Sequence, residues 1–543
     1  MNRNNNANTK NLPTSGKVLD AFKGLNDIIP PNDGTRSFIQ LSSEAYDISL
    51  PISGETSETT IRLTHKDHMV SQINDSFLQV TQNVTIQIPQ LTVELPVTQN
   101  DTTIPYFFFG YKGSNQMFRQ MKVLHEGREN TGYMSQECIR EGFAYSNLKP
   151  ITEKRGKRGI HSTYESVSVM GSDVCGVYVP LTDFKNGSKS ATIQIKSLIP
   201  IDDLLPFQSF SIYPSKLMGE LAAKVQFSTA GLVWCMVPSQ AVLDITNFMN
   251  NGIATLESTF AAIRGYDRFF HQIGDAGNIV DYIDVAGAKT ATQARVTPIV
   301  TSFTVTHFKC QHMGFGVTPQ TFDAMSSYLK SSPILLPAQQ LQYFAYSTTP
   351  DASSLNASMQ IPFENVETLT LMFPAKTQQR TVFTNPCIRN LQLNIDDKLF
   401  PPTAVSTVTD IDPEFLVYQL NASDLDGVIE PTKSFIQSIV MPRHNSSGTR
   451  YVNTSFDNTD FMCDFSFERS QGGSVFDGFT TTTAVNVKLQ YNPVYTGNND
   501  VYYIPDSSNT ALHPPAPQVC LCRNTFWELG LGYVNYHNKG TPK

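Results

Sequence analysis

Along this 543-residue chain, apolar residues recur at every second position in one run after another, and that regularity excludes most folds. In SFLQVTQNVTIQIP, Leu78, Val80, Val84, Ile86 and Ile88 share one parity, and Ile193 and Ile195 alternate with Thr192, Gln194 and Lys196. Successive side chains of a strand point to opposite faces, so such runs predict half-buried antiparallel strands. The pattern returns after residue 296, in Leu369, Leu371 and Phe373, in Leu391, Leu393 and Ile395, in Phe461, Cys463, Phe465 and Phe467, and in Val485, Val487, Leu489 and Tyr491. The 32 Gly and 32 Pro supply the turns that a many-stranded sandwich needs. A parallel α/β enzyme would place a helix between most strands, and this sequence does not. The pattern therefore predicts two antiparallel β domains, and the length is too great for one ordinary core.

Helical signals are few. Ser114 can cap a helix carrying Met117, Phe118, Met121 and Leu124, and a second helix is predicted from Ser135 to Asn147, giving the first domain a helical insertion near 113–148. Residues 241–295 read as a helical connector, on Val242, Ile245 and Met249, then Leu256, Phe260 and Ile263. Thr318 and Pro319 open a helix bearing Phe322, Met325 and Leu329, and Asp412 and Pro413 open one bearing Phe415, Tyr418 and Leu420. The expected organisation is an N-terminal arm over 1–35, a first sandwich over 36–240, the connector, and a second sandwich over 296–543. Within the arm, Val18, Leu19, Phe22, Leu25 and Ile28 form one apolar stripe suited to packing on another surface.

Apolar residues make up 40% of the chain and charged residues 16%, with 34 Phe and 21 Tyr, so a large aromatic-rich core is expected. The net charge of -8 argues against direct, sequence-specific nucleic-acid binding, which draws its strength from clustered Lys and Arg. No apolar run reaches the roughly 18 residues of a membrane span, and MNRNNNANTK lacks a secretory apolar stretch, so a chain made in soluble form is expected. The eight scattered cysteines then read as reduced and mostly buried.

No segment joins a nucleophile, a base and an orienting acid, so no enzyme activity is expected. His307 and His312 stand five apart, which suits neither one strand face nor one helix face, and no HExxH occurs. Cys520 and Cys522 would share a strand face, but no second pair stands at ligand spacing, so neither a metal nor a cofactor is expected. Asp424 and Asp426 open like a calcium loop that the sequence does not complete. Asp202 with Asp203, and Asp396 with Asp397, are adjacent pairs that a strand would point apart. The basic run from Lys154 to Arg158 reads as a solvated loop without interleaved aromatics. Trp234, in GLVWCMV, reads as core.

Four segments of Tyr106 to Val237, namely the FFGYK ending at Lys112, HEGR at His125 to Arg128, VCGVY at Val174 to Tyr178 and LVWC at Leu232 to Cys235, follow an order that resembles the major capsid proteins of Polinton/Maverick-type viruses, including polinton-like viruses and adintoviruses. NPCIRNLQLNIDDKLFPP and FERSQGGSVFDGFTTTTAVNVKLQY look similar to the last jelly roll of that double jelly-roll lineage. The resemblance implies an all-β fold of two consecutive eight-stranded antiparallel jelly-roll sandwiches with a few short helical insertions. It also implies a homotrimeric, pseudo-hexagonal capsomer tiling an icosahedral virion shell, with neighbouring capsomers and penton or minor capsid proteins as partners. Lys112, Arg128 and Glu141 fall in family-like segments and are expected at subunit contacts or paired internally. The alternative is a carbohydrate-binding or carbohydrate-active β-sandwich, which needs exposed aromatics beside carboxylates.

Overall fold

A computed structural model describes residues 28, 38–49, 58–63, 66–92, 106–134, 165–169, 172–201, 204, 207, 210, 212–237, 270–285, 288–346, 355–374, 381, 383, 385–386, 388–395, 397–407, 414–415, 443–444, 450–451, 461–467, 479–481, 485–493 and 517–537. The chain is dominated by strands: β1 (Phe38–Ser49), β2 (Thr59–Arg62), β3 (Met69–Gln87), β4 (Tyr106–Tyr111), β5 (Phe118–His125), β6 (Arg128–Met134), β7 (Glu165–Val169), β8 (Ser172–Pro180), β9 (Ser190–Pro200), β10 (Ile212–Tyr213), β11 (Leu221–Phe227), β12 (Val233–Val237), β13 (His271–Gln272), β14 (Gly277–Val285), β15 (Ala288–Val296) and β16 (Ile299–Gly316). Helix α1 (Ser215–Met218) precedes β11, and α2 (Pro319–Ser331) follows β16. Then come β17 (Ile334–Ala345), β18 (Leu355–Ile361), β19 (Val366–Met372), β20 (Ile388–Ile395), β21 (Lys398–Val405), β22 (Arg443–His444), β23 (Arg450–Tyr451), β24 (Met462–Ser466), β25 (Val485–Pro493), β26 (Gln518–Gly530) and β27 (Tyr533–His537).

The second half is a complete jelly roll. One sheet runs β17-β26-β19-β24 and the other β18-β25-β20-β21, so the eight strands in chain order take the places 1-8-3-6 and 2-7-4-5. The first half repeats the plan: one sheet runs β1-β16-β3 with β9 and β10 on the far side of β3, and the other is β2-β11-β5-β6 continued by β13-β12-β4-β8-β7. That second sheet is divided because two neighbouring strands break together. β4 resumes as β5 after a 3-10 turn at Ser114–Met117, β11 resumes as β12, and the Ser228 N–H donates to the Met117 carbonyl at 2.8 Å across the break. The protein is thus two consecutive antiparallel jelly-roll sandwiches.

Cores follow the expected parity. Leu78, Val80, Val84 and Ile86 are fully buried between the first pair of sheets, and Leu369, Leu371, Leu391, Leu393 and Ile395 between the second. One inward position on β3 is polar: Gln82 accepts from the Tyr111 hydroxyl at 3.1 Å and donates to the Met117 sulfur at 3.3 Å, so the amide is satisfied across the sandwich. Burial pushes the Tyr111 phenol far above its ordinary range. The predicted helix at Thr318 forms as α2, with the Thr318 hydroxyl accepting from the Thr321 N–H and with Phe322, Met325 and Leu329 buried.

Three sequence expectations are corrected. The helix predicted from Ser114 is only a 3-10 turn, and Phe118 to His125 is strand β5. A bulge shifts the register between Gln226, opposite Gln120, and Phe227, opposite Phe118, which turns Phe118 and Met121 to one face at a helix-like spacing of three. In the expected connector, residues 277–285 and 288–296 are a β-hairpin, while 241–269 lie outside the described residues. Ile299–Gly316, placed with the second sandwich, is instead a central strand of the first, between β1 and β3. Alternation identifies a strand but not its partner, which here lies more than 200 residues earlier in the chain. The helices predicted at Ser135–Asn147 and beyond Phe415 also lie outside the described residues; Phe415 is buried.

Two acids, the buried Cys310 and the partly buried Tyr536, set an alkaline limit. Burial pushes the Cys310 thiol and the Tyr536 phenol each up to about 12, against ordinary values of about 8.5 and 10. Both are raised, so their stabilisation is complete below the unfolded values and is lost as pH climbs to the folded ones. Each accounts for on the order of 3–5 kcal/mol over that interval. The melting temperature should therefore fall steeply between about pH 9 and 12. Tyr536→Phe, less stable at pH 8 for want of its hydroxyl contacts, should show a shallower decline in the same titration; an unchanged slope would contradict the assignment.

Candidate assembly surfaces

Three of the four family-like segments of the first half, scattered over some 130 residues, meet in one sheet. β4 lies between β8 and β12, with Gly110 opposite Gly176 on one side and Phe109 opposite Trp234 on the other. FFGYK, VCGVY and LVWC are thus three adjacent strands. Two glycines face each other because the sheets leave no room: a Cβ on Gly176 would collide with the Phe109 carbonyl oxygen and lie 2.7 Å from the Phe108 ring. HEGR is the two-residue turn joining β5 to β6, with Glu126 and Gly127 at φ of +47° and +76°. It is fastened to the α1–β11 corner, where His125 Nε2 meets the Met218 carbonyl at 2.8 Å and Glu126 Oε1 accepts from the Glu220 N–H at 2.7 Å.

The two rolls share an apolar seam. β26 carries Val519 and Leu521 into the second core and Trp527 and Leu529 into the first, and β17 likewise gives Leu341 to one and Leu336 to the other. Trp527 is fully buried, edge-on to Phe210 at 5.5 Å and to Tyr536 at 4.7 Å. Between the cores runs a polar waist: Gln339 donates to Glu367 at 3.0 Å, and Arg523 to the Pro362 carbonyl at 2.7 Å. β27 straps the seam, the Gly532 N–H donating to the Leu217 carbonyl at 2.6 Å and the Asn130 amide to the Val534 carbonyl at 2.8 Å. On its solvent side, Glu528 accepts from Tyr533 at 3.2 Å and pairs with His537 at 2.7 Å. Burying an aromatic seam of this kind fixes the two rolls against each other.

Lys112 is 3% exposed, with its ammonium 5.6 Å from the centre of the Phe270 ring. Arg128 is exposed at the β5–β6 turn, and Glu141 lies outside the described residues. In the arm, Ile28 is half-buried and packs against the first core, while Val18, Leu19, Phe22 and Leu25 lie outside the described residues. Trp234 is buried and tilted over His271 at 4.8 Å. Cys235, Cys310, Cys463, Cys520 and Cys522 are buried thiols. His307 and His312 face opposite sides of β16, opposite Thr81 and Leu41 respectively, with His312 buried. Asp397 sits in the tight β20–β21 turn at a φ of +61°. Asp202, Asp203, Asp396, Asp424, Asp426 and the basic run 154–158 lie outside the described residues.

Among the described residues, no three His, Cys, Asp or Glu side chains are placed to hold a metal, and no helix is long and apolar enough to cross a membrane. Their exposed large hydrophobics are Ile299, Leu399 and Leu531, all aliphatic, so they offer no aromatic platform for a sugar. Sequence reasoning missed the seam, because Trp527 and Leu529 carry no signal that separates them from ordinary strand core.

No protein-family model matches the sequence, and no curated protein matches it. Among solved structures, the chain is similar to the mavirus major capsid protein (8% identity, TM-score 0.43, covering 93% of this chain and 92% of that one). It is similar also to a chain of the Sputnik virophage structure (11%, 0.43, 93% and 89%) and to the Faustovirus major capsid protein (11%, 0.39, 92% and 91%).

Proposed function

We propose that this chain is a viral major capsid protein of Polinton/Maverick type, a structural protein without enzymatic activity. Three copies form a pseudo-hexagonal capsomer, and capsomers tile an icosahedral shell around double-stranded DNA. The observation that carries this reading is the welding of two complete jelly rolls through a shared apolar seam, with β17 and β26 contributing to both cores. Each chain thereby presents two similar β wedges at a fixed angle, and three such chains closed by a threefold axis give six wedges in a ring. Function then lies in side faces rather than in a pocket. Neighbouring capsomers and penton or minor capsid proteins are the partners, and the virion is the location.

Light scattering of the purified protein at micromolar concentration should give a mass of about three chains, and negative-stain micrographs should show six-lobed particles with threefold symmetry. A stable monomer, or a two-lobed particle at every concentration, would defeat the proposal.

A further inference from the structure

The two sheets of the first roll turn unlike faces outward. On the β2-β11-β5-β6 sheet, the outward side carries Arg62, Lys122 and Lys224, matched within the chain by Glu220 at 3.7 Å, by Glu129 at 2.9 Å and by Glu58. On the sheet of β9, β3 and β16, the outward side carries Asn83, Thr85, Thr192, Gln194, Ser302 and Thr304, and these positions are uncharged. Their side chains are already ordered: Thr85 and Thr192 share a hydrogen bond of 2.9 Å, and Gln194 donates to Asn83 at 3.1 Å. Ile299, opposite Gln87 on this same side, is 38% exposed. Charge begins only further along, at Lys196 and Lys309.

We propose that this hydroxyl and amide face, with Ile299 at its end, seats a second copy of this chain; the inference rests on the capsid reading and names one of its contact surfaces. Interface cores are depleted in charge relative to the surrounding surface, which is the contrast between these two faces. Side chains ordered before docking lose less entropy on docking. The uncharged stretch, three strands wide and five residues of β9 long, measures roughly 14 Å by 17 Å, or about 240 Å², the size of the centre of a contact of ~800 Å² per partner whose polar rim takes in Lys196 and Lys309. The equivalent face of the second roll is covered: Thr368 and Thr370, with Cys520 and Cys522 opposite them, are all buried. Of the two related faces, the first roll's is therefore the exposed one, and a threefold ring requires a contact between unlike surfaces.

The test compares the full chain with the double variant Thr192→Arg/Ile299→Arg, and with Thr60→Arg on the charged face as control, by mass photometry and thermal melting. The expected result is an oligomeric wild type and control, and a double variant that melts as wild type does but associates about ten-fold or more weakly. A double variant that assembles like wild type, or a face that takes up a glycan while the oligomer persists, overturns the assignment and leaves the capsid reading standing. A monomeric wild type overturns both.

Discussion

Trp527→Ala is expected to cost about 3–5 kcal/mol and to split one cooperative unfolding transition into two. Trp527 belongs by backbone to β26 of the second roll, yet its indole is buried in the first core between Phe210 and Tyr536. Truncation therefore leaves a cavity in the seam where the two cores meet. Leu529 and Val534 remain, but the T-shaped contacts that fix the angle between rolls are lost. Calorimetry checks this directly. Trp527→Phe, which keeps an aromatic ring there, should retain the single transition at a smaller cost. A Trp527→Ala protein that melts once, within about 1 °C of wild type, would show that the seam does not couple the rolls.

Gly176→Ala should be at least as severe for the first roll. The added methyl would be driven into the Phe109 backbone carbonyl and towards the Phe108 ring, and no rotamer change can relieve a collision with backbone. A loss of about 3 kcal/mol or more is expected, with most of the protein insoluble on expression. Gly187→Ala is the matched control, since a methyl there meets nothing within 4 Å, and its urea midpoint should be nearly that of wild type. A Gly176→Ala protein as stable as the control would mean that β4 and β8 can move apart without penalty.

Much of the fold was legible because a strand with one buried face must alternate. Leu78 to Ile88, Ile193 with Ile195, and Leu391 to Ile395 behave as that rule requires. The helix at Thr318 was legible from its cap, its proline and its apolar spacing together. Reading failed at β5, where a bulge at Arg119 imitates a helical period, and at β16, whose alternation is clear but whose partners are remote. The alternating face at Phe461 to Phe467 was also only half the story, since Met462 and Asp464 on the other side are equally buried and Asp464 is bonded to Thr370.

The candidate surfaces were less legible still. FFGYK, VCGVY and LVWC stood out in the sequence, but their meaning as three neighbouring strands, with Gly110 against Gly176, needed the paired sheet. The outward ladder of Asn83, Thr85, Thr192 and Gln194 looked like the solvated half of ordinary strands, and its cross-strand bonds depend on register between segments about a hundred residues apart.

Local chemistry alone determined which stretches are strands, which side of most of them is buried, and that the chain divides into two β sandwiches, because side-chain parity and turn residues act over a few positions. Only the tertiary structure decided that β16 returns to the first roll, that Trp527 crosses into its neighbour's core, and which outward face remains exposed. These outcomes depend on the summed burial of surfaces distant in sequence, a quantity that no local period encodes.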